Sequence, residues 1–317
     1  MQQDLDLLKK QFEVRVVNVC LDVGDIRGTL ATPLRLILGI AWANAIFCWF
    51  ASREAFLTLL LSRIYNKKTA VAVGGADVTA IPELGYGAAL DKKTHFYQKF
   101  VLRRAAKVLP DSRDAEKGAL GLTANASKVE LIYLGIDTQK FHAQVSKKDI
   151  AITVGVVNHS NLKRKGFETF VKSAAYLPNI EFVLIGRFAD NSIRYLRSIA
   201  PRNVKFTGFL REDELIKSYQ EAKVYVQVSA HEAFGAALAE AMASECVPVV
   251  TDKGAIPEVV GGAGIYVPYQ DPMATAEGIA RALKSDKGTI ARQRIEKMFS
   301  IEKRQEGLIN AIRDLLN

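Results

Sequence analysis

The sequence predicts an α/β protein of two domains, each a parallel β-sheet wrapped by helices. Three observations carry that expectation. Apolar strand-like runs alternate with helical segments in a βα rhythm along the whole chain, the order that produces parallel sheets. The 317 residues, 49% of them hydrophobic, suffice for two cores of about 150 residues each. The stretch YLGIDTQKFHAQVSKKD (133–149) is polar and turn-rich after an apolar run, the composition of a joint between domains. The expected domains are 1–143 and 144–299, with a closing helix over 300–317 packing back on the first.

In the first half the pattern predicts helix 2–11, strand 13–20, helix 33–42, strand 45–50, helix 53–65 and strand 69–74. Helix 94–106, strand 107–110, helix 112–123 and strand 129–133 follow. The longest apolar stretch, LRLILGIAWANAIFCWFA (34–51), carries Arg35 and divides into a helix and a buried strand. A membrane-spanning helix needs about 20 apolar residues, and the opening MQQDLDLLKK is charged and helical rather than a signal sequence. The second half predicts strands near 150–157, 181–186, 203–207, 224–228, 247–250 and 264–267, with helices between them and two more at 272–284 and 300–316.

Composition narrows the class further. Charged residues make up 24%, ordinary for a globular protein. Cys20, Cys48 and Cys246 lie in apolar surroundings with no metal or CxxC spacing, so reduced core thiols and a cytoplasmic location are expected. The net charge of +9 is spread almost evenly over the two halves. With no basic stripe interleaved with aromatics, it points away from nucleic acid and toward peripheral contact with an anionic membrane face.

The run HEAFGAALAEAMASECVPVV (231–250) holds the pair Glu232 and Glu240. A helix beginning near Phe234 puts Glu232 in the loop at its mouth and Glu240 about two turns inside. Free amides at Phe234, Gly235 and Ala236 at the positive end of that helix suit a diphosphate. A carboxylate inside the helix suits the two hydroxyls of a ribose. An amphipathic helix with one solvated glutamate would show the same spacing, so the surrounding residues decide.

Those residues, SAHEAFGAALAEAMASECVPVVTDKGAIPEVVG (229–261), resemble the donor-binding E-x7-E region of retaining glycosyltransferases of family 4, also called glycosyl transferases group 1. The matching positions are Glu232, Phe234, Gly235, Glu240 to Ala243, Pro248 to Val250, Gly254, Pro257 and Glu258. The joint resembles the family's linker at Gly135, Ile136, Asp137 and Phe141. The resemblance implies the GT-B fold, two Rossmann-like domains with parallel sheets facing a central cleft. It implies transfer of a hexose from a nucleoside-diphosphate sugar to an acceptor hydroxyl on a glycan, a lipid-linked or a small molecule, with retention and no metal or other cofactor.

Residue by residue, Lys165 in NLKRKGF matches the family's lysine before glycine, a cation for the leaving diphosphate. The family's preceding arginine falls on Asn158 or His159, leaving Arg164 or Arg187 as the second cation. Gly208, Phe209 and Leu210 match the loop that holds the base. Glu232 would bind sugar hydroxyls and support charge at the anomeric carbon. In VAVGGADV (71–78) no histidine stands where many relatives carry one, and Asp77 is the candidate to orient the acceptor hydroxyl or take its proton; a helix N-cap explains the same aspartate. The chain opens on what resembles the family's first helix and second strand, so the first domain is expected to lack its first strand. Two alternatives stay open on the residues: a non-catalytic nucleotide-sugar-binding relative, and a nucleotide-sugar 2-epimerase of the same fold. A dinucleotide dehydrogenase would want GxGxxG after its first strand, and none is found.

Overall fold

The computed structural model describes residues 1–19, 26–143 and 146–317. These pack as two compact units, Met1–Tyr133 with Glu302–Asn317, and Leu134–Ile301.

The first unit runs α1 (Gln2–Lys9), α2 (Ile26–Trp42), β1 (Ala45–Trp49), α3 (Arg53–Ile64), β2 (Lys68–Val73), α4 (Lys92–Arg104), β3 (Lys107–Pro110) and α5 (Arg113–Leu122). Its sheet is parallel in the order β1-β2-β3. Helix starts follow local chemistry, since the side chains of Ser52, Asp91 and Ser112 each accept from the amide three residues on and satisfy a donor the helix leaves unpaired. Val71, Val73, Leu59, Val101, Leu102 and Val108 form the core between sheet and helices.

Three expectations in this unit need correction. Residues 13–19 form no strand, and residue 20 lies outside the described residues. A strand exists only through a paired neighbour, and the ladder of β1 runs to β2. Residues 13–19 instead line, with 43–50, a cavity of about 710 Å³. Residues 129–133 run beside β3 through Glu130 N–H to Val108 O and Ile132 N–H to Pro110 O, yet form a single bridge, Val108 to Val129. Pro110 has no N–H to return, which stops the ladder there. The helix expected at 33–42 begins earlier, at Ile26, with Pro33 inside it.

The second unit runs β4 (Lys148–Val154), α6 (His159–Arg164), α7 (Phe167–Ser173), β5 (Glu181–Ile185), α8 (Ser192–Ile199), β6 (Val204–Gly208), α9 (Glu212–Glu221), β7 (Ala222–Gln227), α10 (Ala236–Ala243), β8 (Val247–Val250), α11 (Ile256–Val260), β9 (Ile265–Tyr266), α12 (Pro272–Leu283) and α13 (Lys287–Met298). Then α14 (Ile301–Leu316) carries the chain back into the first unit from Glu302 onward. The helix α13 was not singled out by the sequence because only Gly288, Ala291 and Ile295 of its twelve residues are buried.

The six strands are parallel in the order β6-β5-β4-β7-β8-β9. Phe170, Phe182, Leu184, Leu196, Val224, Val226, Val247 and Val249 fill the layers against the helices. The chain builds outward from β4 to β6 on one side, then returns and builds from β7 to β9 on the other. Loops leaving β4 and β7 therefore diverge, and in an open parallel sheet that switch point leaves a crevice at the strand C-termini.

Candidate functional site

The switch point brings two of the predicted donor residues, Lys165 and Glu232, into contact. After β4 comes Gly155, where a Cβ would stand 3.0 Å from Cδ of Lys165 and 3.0 Å from the ring of Phe167, so the bare backbone makes room for the lysine stem. Asn158 caps α6 by accepting from Asn161 N–H at 2.9 Å. After that short helix the chain turns at Gly166, with φ of 72°, and a Cβ there would fall 2.2 Å from the carbonyl oxygen of Val228. Only glycine tolerates both the left-handed backbone and that approach to the chain leaving β7. Lys165 is thereby held against Glu232, Nζ to Oε2 at 2.9 Å, with both side chains mostly shielded from solvent (19% and 14% exposed).

Glu232 is fixed from two further directions. Gln227 at the end of β7 donates from Nε2 to the same Oε2 at 3.0 Å, and Tyr225 donates its hydroxyl to Gln227 Oε1 at 3.3 Å. The backbone oxygen of Glu232 accepts from Ala255 N–H at 2.8 Å, a contact allowed by Gly254 at φ of 56°, where a Cβ would lie 2.4 Å from that oxygen. Tyr225 and Gln227 were missed by the sequence reading. The available signal was the alternation in KVYVQV (223–228), which puts Tyr225 and Gln227 on one face with Lys223, and the valines on the other.

Gly235 precedes α10 at φ of 90° and ψ of 58°, with no side chain capping the helix. The first-turn amides of α10 have no partner within the helix and aim outward at its positive end. Phe234 is buried and meets Phe299 edge-on at 5.5 Å, so its ring belongs to the core and only its backbone is left for a ligand. Ala236 is the first residue of the helix. Glu240, in its second turn, is partly buried and accepts from the Tyr219 hydroxyl at 3.2 Å. Burial pushes its carboxyl up to about 7, against the Tyr219 hydrogen bond and the charge of Lys140. Burial, then the charges of Glu232 and Glu240, raise the Tyr225 hydroxyl well above its ordinary range, which sets this tyrosine in the field of both glutamates.

The remaining donor candidates divide by surroundings. Arg164 is buried and donates from Nε and Nη2 to Asn161 Oδ1 at 3.1 and 2.7 Å, so its guanidinium is engaged inside its own turn. Arg187 stands exposed in the loop after β5, where Val157 N–H pairs with its carbonyl. Gly208 closes β6 at φ of 76°, Phe209 is 74% exposed and Leu210 is half-buried.

In the first unit Asp77 sits just after β2 and ties two loops together. Its Oδ1 accepts from Gly74 N–H at 2.9 Å and its Oδ2 from Ala51 N–H at 3.0 Å. Burial lifts its carboxyl to about 6 in spite of those bonds. Asp111, just after β3, was not singled out by the sequence. Burial raises it to about 7, with the charge of Arg304 opposing and that of Asp77 adding. A Cβ on Gly74 would fall 2.1 Å from Asp111 Oδ2, so the glycine gives the two carboxyls their closeness. No helix among the described residues is long and apolar enough to cross a membrane.

Known proteins are similar to this chain in sequence and in fold. Residues 148–285 match the family described as Glycosyl transferases group 1. An uncharacterized glycosyltransferase of Methanocaldococcus jannaschii is 29% identical over 177 residues, 49% of this chain and 45% of the relative. A D-inositol 3-phosphate glycosyltransferase of Corynebacterium urealyticum is 27% identical over 221 residues, 59% of this chain and 50% of the relative. The matched regions thus span about half the length of these curated relatives. Among solved structures, a sucrose-phosphate synthase of Thermosynechococcus elongatus superposes with a TM-score of 0.76 at 20% identity, covering 94% of this chain and 82% of its own. Anabaena HepE in complex with UDP and glucose superposes with a TM-score of 0.79 at 16% identity, covering 98% and 88%. The fold is that of the GT-B glycosyltransferases, and residues 148–285 form a domain of the Glycosyl transferases group 1 kind.

Proposed function

We propose that the chain is a retaining hexosyltransferase of the family 4 type, moving a sugar from a nucleoside diphosphate to an acceptor hydroxyl. The observation that carries this reading is the meeting of Lys165 and Glu232 beside the uncapped start of α10, at the switch point of the second unit's sheet. A cation, an anion and a row of amides there match the three charges of the reaction: the departing diphosphate, the positive anomeric carbon and the phosphate oxygens. Lys165 and Arg187 neutralise the diphosphate, with Arg164 shaping the turn that presents Lys165. Amides of Phe234 to Ala236 hold phosphate and sugar oxygens, Glu240 accepts the ribose hydroxyls, and the loop Gly208 to Leu210 takes the base against the exposed Phe209 ring.

The bond from the anomeric carbon to the diphosphate oxygen breaks, and the acceptor oxygen bonds to that carbon from the same face. The acceptor proton ends on the leaving diphosphate oxygen. Glu232 supports the positive charge between the two events. The diphosphate charge is met by side chains and amides, so no metal or cofactor is assigned. A cytoplasmic location at the membrane face, where lipid-linked acceptors would lie, is proposed from the net charge of +9.

UDP is the first nucleotide to test, because the HepE complex holds it. The experiment incubates the chain with UDP-glucose, then with GDP- and ADP-sugars, reads free nucleoside diphosphate, and assigns the product anomer by NMR. Release with retention is expected. Inversion at the anomeric carbon refutes the retaining reading, and no release together with no thermal shift by any nucleoside diphosphate refutes the transferase.

A further inference from the structure

The helices α3 and α4 of the first unit turn an unusual face to solvent. Gln98, Val101 and Leu102 are the buried residues of α4, so with 3.6 residues per turn its outer face is centred on Phe96 and Phe100. Lys92, Lys99 and Arg103 run along one side of those rings, and Lys93 and Arg104 along the other. The thirteen residues of α4 include these five cations and no acid. On α3 the buried residues are Ala55, Thr58, Leu59 and Ser62, which leaves Phe56, Leu60 and Ile64 stacked one turn apart on the opposite side. Phe96, Leu60 and Ile64 are 59%, 45% and 75% exposed. The two helices meet through their rings, since Phe56 lies 6.0 Å from Phe96 and 4.7 Å from Phe100 between centroids. The apolar surface is therefore continuous from one helix to the next.

The charge on this face is one-sided. Its neighbouring acids are already engaged, Glu54 by Arg53 at 3.6 Å and Asp91 by the amide and hydroxyl of Thr94, where it caps α4. Arg63, exposed in the last turn of α3, adds a further cation. A helix face meant only for water needs charges but gains nothing from exposed phenylalanine and isoleucine, and a contiguous apolar patch rimmed by cations marks an interaction surface. Cations with aromatic rings alone would also suit nucleic acid. The aliphatic Leu60 and Ile64, which cannot stack on bases, favour hydrocarbon instead. We infer that the outer face of α3 and α4 docks on an anionic lipid bilayer. The rings and aliphatic side chains enter the boundary between headgroups and acyl chains, and the cations pair with lipid phosphates. This face gives a location to the membrane contact proposed from net charge, and it is independent of the donor chemistry.

The test is co-sedimentation of the full chain with vesicles of phosphatidylcholine alone and of an equimolar mixture with phosphatidylglycerol, at rising salt. It is repeated on a Lys92→Gln/Lys99→Gln/Arg103→Gln triple variant and a Phe96→Ser/Ile64→Ser double variant, all at exposed positions, with melting temperature as the folding control. The chain is expected to bind the anionic vesicles and to be released by salt. Each cation near the surface is worth about fivefold, so the triple variant is expected to lose roughly a hundredfold. The double variant is expected to lose about tenfold or more while keeping the salt dependence of the unmodified chain. Equal binding to both kinds of vesicle, binding to neither, or undiminished binding by either folded variant overturns the inference. Capture by a homopolymeric RNA but by no vesicle assigns the face to nucleic acid and also overturns it. Donor hydrolysis without vesicles is expected to be unchanged in both variants. Release of nucleoside diphosphate with no vesicle binding overturns the docking face alone, and vesicle binding with no release leaves the face standing and removes only the transferase.

Discussion

Replacing Lys165 by methionine keeps most of the stem that passes over Gly155 and deletes the charge. In the structure this lysine contributes one contact, at 2.9 Å, to a carboxylate that is 14% exposed. Breaking a fully buried pair costs about 3–5 kcal/mol. Here Gln227 still donates to the same oxygen and both groups keep some solvent, so about 1–2 kcal/mol is the appropriate scale, a few degrees in melting temperature. The effect on turnover is larger. A preorganised charge aimed at a developing anion is worth roughly 10²–10³ in kcat, and Lys165 is the cation the fold sets at the switch point. The assay is donor hydrolysis and transfer at saturating nucleotide sugar, with melting temperature as the folding control. A folded Lys165→Met chain that retains turnover within about twofold, against the 10²–10³ worked above, refutes the assignment of Lys165 to the leaving group.

Gln227→Leu removes the amide that orients Glu232, and a charge-assisted hydrogen bond of about 2 kcal/mol predicts roughly a thirtyfold loss in kcat with KM for the donor little changed; an equal rise in KM would instead make Glu232 a plain binding group. Gly254→Ala would put a Cβ 2.4 Å from the Glu232 oxygen at φ of 56°, and it is expected to cost about 2 kcal/mol or more in thermal unfolding and to depress donor hydrolysis. The carboxyls of Glu240, Asp77 and Asp111 rise on folding from 4.5, 3.8 and 3.8 to about 7, 6 and 7. The folded chain thus binds more protons than the unfolded chain between about pH 4 and 7, and these three groups stabilise it fully below that window and lose their contribution as pH rises through it. The melting temperature of the empty chain is therefore expected to fall between pH 5 and 8, with Glu240→Gln flattening part of the slope; an unchanged slope in that variant refutes the buried-carboxyl account of Glu240.

The second unit was legible because its rules are local. Short strands of two to seven residues, left-handed glycines at Gly166, Gly235 and Gly254, and the E-x7-E spacing are each set by neighbours in sequence. The pairing of Lys165 with Glu232 was not readable in itself, since it depends on β4 and β7 lying side by side. The first unit hid more. Asp4 and Arg304 form a buried two-pronged ion pair at 2.9 and 2.8 Å across 300 positions, and Arg304 also donates to Ile132 O. No sequence pattern marks Asp4, whose neighbours read as an ordinary charged helix. Burial alone would raise its carboxyl, but the bonds and charge of Arg304 outweigh that and hold it below its usual range. The strand expected at 13–20 fails for a related reason: EVRVVNV has the alternation of a strand, yet alternation supplies side chains and not a partner backbone.

The direct contact between Lys165 and Glu232 bears on how the proposed donor site would charge and discharge. With no ligand, each is the other's counter-ion, so two charges wait in a partly shielded crevice without the cost of an isolated buried ion. A diphosphate brings far more negative charge than one carboxylate, and it would draw the lysine toward itself while Gln227 keeps Glu232 in place. Glu232 would then face the sugar with its main cation turned away. In that state its charge would be least compensated at the stage when the anomeric carbon becomes positive. Under the same proposal, the buried polar pair Gln227 and Tyr225 in β7 would have a purpose. A carboxylate that must lose its cation on donor binding needs a second hold that the donor does not compete for, and a neutral amide anchored from the core supplies it.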